Sequence, residues 1–210
     1  MNGQDISKVV HGGTGIRKRR ETGAPILDFS ASINPYPPHL VPTLDPYRLE
    51  HYPDDTYLDL KEVIGGRFDR EVSEIAVGNG SIEIIRVLCA AVLNPGDRVA
   101  TYPPTFGEYE YSARLAGALT GGGPGTKIRF LCNPNNPTGH LLERGEILPI
   151  LECCEDEGSI LAVDEAFIEV SDDPAQTLSG MRHPSLFVIR SLTKSFGMAG
   201  IRFGYGFGDP

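Results

Sequence analysis

No apolar run in this chain approaches the roughly 20 residues that a membrane-spanning helix needs. The longest uninterrupted one, Val87 to Leu93, is far too short, and the first residues hold no apolar core of the kind a secretory leader carries. Cysteine is scarce and unpatterned. The four residues Cys89, Cys132, Cys153 and Cys154 form no C-x-x-C pair, and Cys89 and Cys132 lie in apolar runs where they read as small hydrophobes. That excludes a disulfide framework and a zinc site, so no metal is expected and the protein is expected in the reducing cytoplasm. Positive charge is also short. Lys and Arg number 19 against 28 Asp and Glu, for a net charge of -9, which disfavours nucleic acid and anionic membranes as partners. The one basic run, Arg17 to Arg20, has no interleaved aromatics and reads as a solvated turn. There is no internal repeat.

What is present fits an ordinary globular protein. The 210 residues are 40% hydrophobic and 22% charged, enough for one sizeable core. Residues 1 to about 35 read as an irregular arm, and the Pro-rich stretch Pro35 to Pro46 disfavours continuous helix or central strand. Tyr57 to Phe68 has helical spacing at Leu58, Leu60, Val63 and Ile64. Strand and helix then alternate. Short strands are expected at Glu74–Val77, Arg98–Tyr102, Ile128–Cys132, Ile160–Val163 and Leu186–Ile189, with helices at Ile82–Leu93, Phe106–Ala116 and Glu143–Asp156. Gly121 to Gly125 is a flexible connection. This pattern predicts an α/β fold, a mostly parallel sheet with helices on both faces.

Sheets of that kind bind ligands beyond the carboxyl ends of their strands. Gly78–Ser81, Tyr102–Phe106, Asn133–Gly139, Asp164 and Ser191–Lys194 all fall at that end. Lys194 follows a buried strand and sits among hydroxyls, eight residues before Arg202, which suits a Schiff base to an aldehyde that carries a phosphate. In Gly78-Asn-Gly-Ser-Ile-Glu83 the glycines permit close backbone approach, and the N–H groups of the helix start can hold a phosphate; a plain turn capped by Ser reads equally well. Asp164, after four apolar residues, needs a partner such as a cationic ring N–H, or else serves as a helix cap. Asn136 stands on a rigid Pro-Thr-Gly turn, and Phe106 could stack on a flat ring or belong to the core.

Four of these motifs, Gly78-x-Gly-Ser-x-Glu83, Asn133-Pro-Asn-Asn-Pro-Thr-Gly139, Asp164-Glu-Ala-Phe167 and Ser191-x-x-Lys194 with Gly200-x-Arg202-x-Gly204-Tyr205, occur in an order that resembles the aminotransferase class I/II family of fold-type I pyridoxal-phosphate enzymes. The resemblance implies a large pyridoxal-phosphate domain over 36–210, preceded by the arm 1–35. It implies that Lys194 and Asp164 are catalytic, Lys194 bonding the cofactor and moving protons, Asp164 pairing with the ring nitrogen. Asn136 would meet the ring hydroxyl and Phe106 would stack on the ring. Gly80, Ser81, Ser191 and Arg202 would hold the phosphate, with Ile82 and Thr193 also against the cofactor. Tyr52, in His51-Tyr-Pro-Asp54, resembles the tyrosine that reaches the phosphate of a neighbouring subunit, so a homodimer with shared active sites is implied.

Two branches of the family compete. His11-Gly-Gly13, Leu27 to Pro35 and Arg190 to Lys194 resemble the threonine-phosphate decarboxylases of cobalamin synthesis, in which His11, Gly12 and Asn34, with Asn136, would touch the phosphorylated amino acid. Tyr102-Pro-Pro-Thr-Phe-Gly-Glu-Tyr109 and the Asn133–Gly139 turn fit histidinol-phosphate aminotransferases equally well. Phe167 replaces the tyrosine usual in that aminotransferase, which tips the expectation to the decarboxylase. The stretch between Tyr111 and Asn133 is shorter than in relatives, so a strand there is expected to be trimmed. Relatives also continue into a smaller C-terminal domain that grips the substrate carboxylate. The resemblance therefore leaves a non-catalytic cofactor-binding fragment as a third expectation.

Overall fold

In a computed structural model, the structure describes residue 9, residues 11–39, residue 43 and residues 45–210. The beginning of the expected arm and part of the Pro-rich stretch, residues 1–8, 10, 40–42 and 44, lie outside the described residues. Among the described residues seven strands form one sheet: β1 (Ile75–Gly78), β2 (Arg98–Ala100), β3 (Leu119–Thr120), β4 (Thr126–Cys132), β5 (Ile160–Asp164), β6 (Leu186–Ser191) and β7 (Gly204–Phe207). Their order is β1-β7-β6-β5-β4-β2-β3. β6, β5, β4, β2 and β3 run parallel, whereas β7 is antiparallel to both its neighbours.

Among the described residues six α-helices accompany the sheet: α1 (Gly15–Thr22), α2 (Tyr47–Glu50), α3 (Leu58–Phe68), α4 (Ser81–Val92), α5 (Glu108–Leu115) and α6 (Arg144–Glu157). Side chains alternate across a strand, and the two faces carry separate cores. Ile128, Phe130, Ala162 and Ile189 pack on α4 and α5 through Ile85, Leu88, Cys89, Tyr109 and Ala113. Leu131, Leu161, Val163 and Val188 turn the other way, onto α3 and α6 through Ile64, Ile147, Leu151 and Cys154. The start of α6 is fixed by a reciprocal pair in which the Glu143 and Glu146 carboxylates each take the other's backbone N–H, and Gly158 closes it in the left-handed conformation.

The expected doubly covered, mostly parallel sheet is present, and several details add to or differ from the expectation. The arm is not wholly irregular, because Gly15–Thr22 forms α1. No residue of α1 is buried, so it has no apolar stripe for a sequence pattern to reveal. β7 was not expected, since Gly204-Tyr-Gly-Phe alternates glycine with aromatics, and glycine weakens strands. Here a side chain would not fit, because a Cβ on Gly206 would lie 2.6 Å from the Phe187 ring. The stretch between Tyr111 and Asn133 keeps a strand, the two-residue edge β3. In α3 only Ile64 of the four apolar positions is buried; Leu58, Leu60 and Val63 remain exposed.

Register explains where the motifs meet. Cys132 pairs with Asp164, Asp164 with Ile189, and Ser191 with Gly204. The carboxyl ends of β4, β5 and β6 thus lie beside the beginning of β7, and Gly204 in turn pairs with Gly78 at the end of β1. Reversal of β7 brings Arg202 to the same edge as Lys194. Phe130, fully buried, stacks on Tyr109 with centroids 4.8 Å apart. Phe130→Ala should cost about 3–5 kcal/mol in denaturant unfolding. Val87→Ala, on the exposed side of α4, should stay within about 0.5 kcal/mol.

Candidate active site

Asp164 ends a strand whose last four residues are all buried, and is itself 3% exposed. Its Oδ2 accepts the Tyr109 hydroxyl at 2.9 Å and its Oδ1 accepts the Ala166 N–H at 3.1 Å. Burial pushes its pKa up from 3.8 to about 6, with the Glu165 charge adding to the rise; the Tyr109 hydroxyl, the Ala166 N–H and the Lys194 charge oppose it. Tyr109 is held between the stacked Phe130 ring and Phe106, which it meets edge-on at 5.5 Å.

Lys194 leaves the loop that follows β6. It is half-buried, with Nζ 5.3 Å from the centroid of Phe167. Burial lowers its pKa, the positive charge of Arg202 adds to that, and Asp164 opposes it. Arg202 adopts φ 58°, an uncommon conformation outside glycine. Its Nη1 donates to Ala199 O at 3.2 Å, and a Cβ on Gly80 would stand 2.8 Å from its Nη2. Gly204 likewise lies so close to the Ser81 backbone that no side chain fits. The glycines on both sides therefore let the guanidinium lie against the start of α4. Ser191, 3% exposed, accepts the Thr193 N–H on its Oγ at 3.2 Å.

Of the three asparagines in the Asn133–Gly139 turn, two build it. Asn133 exchanges hydrogen bonds with the Leu142 backbone at 3.0 and 2.8 Å. Asn135 takes the Thr105 hydroxyl at 2.9 Å and donates to Pro104 O at 2.9 Å. Asn136 is left facing the cavity. That cavity measures about 280 Å³. Asp164, Cys132, Phe106, Phe167, Lys194 and Arg202 line it, together with Ser81, Ile82, Ser191, Thr193 and His11. It adjoins a wider space of about 490 Å³ reached by Gly12 and the segment from Ser30 to Ile33. A larger cavity of about 750 Å³ lies between α3 and the β6–β7 side, lined mainly by apolar residues such as Leu60, Phe68 and Phe203, and none of the expected site residues borders it. Chemistry, not size, marks the smaller one as the candidate.

Most expected residues therefore converge. Asn34 is adjacent, but its side chain is engaged by protein: Nδ2 donates to Ser195 O and Oδ1 accepts the Tyr36 N–H, each at 2.9 Å. Tyr52 is fully exposed and does not border the cavity. Sequence reasoning missed Tyr109 and Cys132 as site residues, and missed Glu108, whose Oε1 lies 2.7 Å from His11 Nε2 while its Oε2 takes Arg86 Nη2 at 3.1 Å. Tyr109, in the first turn of α5, follows Phe106 by three residues, and that short spacing between two aromatics was the available signal.

Comparison with known proteins bears on the family and the fold. The sequence model of aminotransferase class I and II matches residues 49–120 and 118–210; the two segments meet at β3. A histidinol-phosphate aminotransferase from Ruminiclostridium cellulolyticum is 32% identical over 85% of this chain and 56% of its own length. Among solved structures, the histidinol-phosphate aminotransferase of Sinorhizobium meliloti, in complex with pyridoxal-5'-phosphate, superposes with a TM-score of 0.75 at 20% identity over 99% of this chain and 63% of that one. The L-threonine-O-3-phosphate decarboxylase of Porphyromonas gingivalis gives 0.64 at 25% identity over 76% and 54%. The chain spans about half the length of the curated relatives it matches.

A buried acid with a raised pKa favours the folded state below pH 3.8 and loses that advantage as the pH climbs through about 6, where the fold must hold a buried charge. The span from 3.8 to about 6 corresponds to about 3 kcal/mol. Asp164→Asn should thus raise the melting temperature of the ligand-free protein above pH 6, and the gain should vanish toward pH 4. Melting curves whose separation ignores pH would contradict the assignment of a buried, uncompensated carboxylate.

Proposed function

Because this chain belongs to the aminotransferase class I and II family, we propose that it forms the cofactor-binding part of a pyridoxal-phosphate aminotransferase acting on a phosphorylated amine of the histidinol phosphate type. The observation that carries the reading is the convergence of one amine, one buried acid and one guanidinium on a single cavity within the matched segments. Relatives at 31 to 36% identity that share the histidinol-phosphate name support the substrate class over the decarboxylase that Phe167 favoured in the sequence.

The residues fit the cofactor. Asp164 receives its hydrogen bonds from neutral donors, and a protonated ring nitrogen would supply the cation that a buried carboxylate lacks. The phosphate would have Arg202, the Ser81 N–H and hydroxyl and Ser191 on the cavity lining, with Gly80 leaving room for the Arg202 guanidinium. Bound there, pyridoxal phosphate supplies an electron-withdrawing ring that stabilises negative charge developing at the substrate's alpha carbon.

The chain's own groups do the rest. Lys194 would hold the cofactor's aldehyde covalently and, once displaced, carry a proton from and to the alpha carbon; its lowered pKa keeps a share of the amine neutral for that work. Asp164 would hold the ring nitrogen protonated, Asn136 would be the partner for the ring hydroxyl, Phe106 would offer a flat face to the ring, and Ile82 and Thr193 would help exclude water from it. His11 and Gly12 would be the arm's contribution to substrate binding, with His11 seated by Glu108, while Asn34, expected to join them, is engaged by the Ser195 carbonyl and the Tyr36 N–H. Tyr52, wholly exposed, is suited to reach the phosphate of a second subunit in a homodimer.

A second reading, decarboxylation of threonine phosphate, is favoured by Phe167 on the cavity wall and by the arm residues gathered at its mouth. The two reactions differ in which alpha-carbon bond is aligned with the ring, and so in substrate orientation.

Incubating the full-length protein with histidinol phosphate and 2-oxoglutarate should release glutamate. Carbon dioxide from threonine phosphate instead would install the second reading, and cofactor uptake without either product would favour a chain that only binds. Lys194→Ala should abolish both turnover and the visible absorbance of the bound cofactor; surviving absorbance would count against the lysine.

A further inference from the structure

Asp164 and Lys194 face the cavity, and the residue after each faces the other way. Glu165 is fully buried. Its Oε2 accepts Arg190 Nη1 at 2.8 Å and the Thr177 and Ser179 hydroxyls at 2.5 and 3.0 Å, while its Oε1 accepts the Leu178 N–H at 2.6 Å. Ser195, 7% exposed, donates its hydroxyl to Glu169 Oε2 at 2.9 Å. The other oxygen of Glu169 is bound by Arg190 Nη2. Arg190 is 4% exposed and stands on β6 between the two carboxylates. A continuous polar chain thus runs Glu165–Arg190–Glu169–Ser195 behind the cavity and joins the backbone next to the acid with the backbone next to the amine.

Burial gives this chain its stiffness. Glu165, Arg190 and Ser195 are removed from water and cannot exchange a lost partner for solvent, whereas the Glu169 side chain, 28% exposed, is held in place by Arg190 and the Ser195 hydroxyl. Lys194 needs such support because it leaves a loop, residues 192–197, rather than a helix or strand. The arm braces the same loop from the other side, where the Asn34 N–H donates to Lys194 O at 3.0 Å and Asn34 Nδ2 to Ser195 O at 2.9 Å.

We propose that Arg190, Glu169 and Ser195 are positioning residues, a strut that sets where the Lys194 amine stands relative to Asp164. The inference rests on the proposed function for its catalytic meaning, but the placement of the amine can be read without cofactor. Lys194 shares its cavity with Asp164 from β5, Arg202 from the segment before β7 and His11 from the arm. Its lowered pKa reflects that enclosed location.

In cofactor-free protein, the rate at which an amine-reactive reagent modifies Lys194, followed by peptide mass spectrometry across pH, reports the titration of that amine. In Ser195→Ala and Glu169→Ala the midpoint should move back toward 10.5, as the loosened side chain reaches water. Glu169→Gln keeps an oxygen for the Ser195 hydroxyl and should retain most of the original profile. In cofactor-loaded protein the two Ala variants should lose about tenfold or more in kcat with KM little changed. Unchanged labelling midpoints in both Ala variants, even with lower melting temperatures, would reduce the network to a structural one and overturn the proposal. Should the unsubstituted protein take up no pyridoxal phosphate, the functional reading fails, while the labelling comparison still decides the strut.

Discussion

The Asp164 carboxylate meets a tyrosine hydroxyl and a backbone N–H where an exposed acid would meet water. Removing a carboxylate from solvent is costly unless a cation or several donors compensate, and the two neutral donors leave its pKa near 6. The site's other features gain their sense from this residual imbalance. Tyr109 is locked by stacking so that its hydroxyl stays on the acid. On the proposed reading, the cofactor's ring nitrogen supplies the missing charge, and the buried acid holds it protonated in return.

The sheet makes this arrangement possible by register. Parallel β4, β5 and β6 end together, while the reversed β7 begins where they end, so residues from four separate stretches of chain reach one cavity. Alternation along each strand then divides the work. One side of the β5 and β6 termini presents Asp164 and the lysine loop to the cavity, and the next residues join a largely buried ionic chain behind it. Glycines at 80 and 204 are required at the meeting point because Arg202 and the start of α4 occupy the space a side chain would need.

Much of this was legible in the sequence, and the reasons are local. Strands such as Ile160–Asp164 are short apolar runs that end in a polar residue, and the Asn133–Gly139 turn punctuates its own boundaries. Residue order alone placed Lys194, Asp164 and Asn136 at one end of the sheet, whereas Arg202 reaches it through the reversal of β7. What escaped notice depends on long-range packing. β7 reads as a glycine-rich loop until Phe187 is seen to fill the space above Gly206. Tyr109 reads as a core aromatic until its hydroxyl is found on an acid 55 positions away. Glu169 and Ser195 carry no pattern linking them, since their contact exists only once β5 and β6 pair.

The most direct test of the central claim is a crystal structure of the protein grown with pyridoxal phosphate. The account expects density continuous with Lys194 Nζ, the ring nitrogen against Asp164 and the phosphate between Arg202 and the start of α4. A cofactor seated in the apolar cavity beside α3, or one lying away from Asp164, would contradict it.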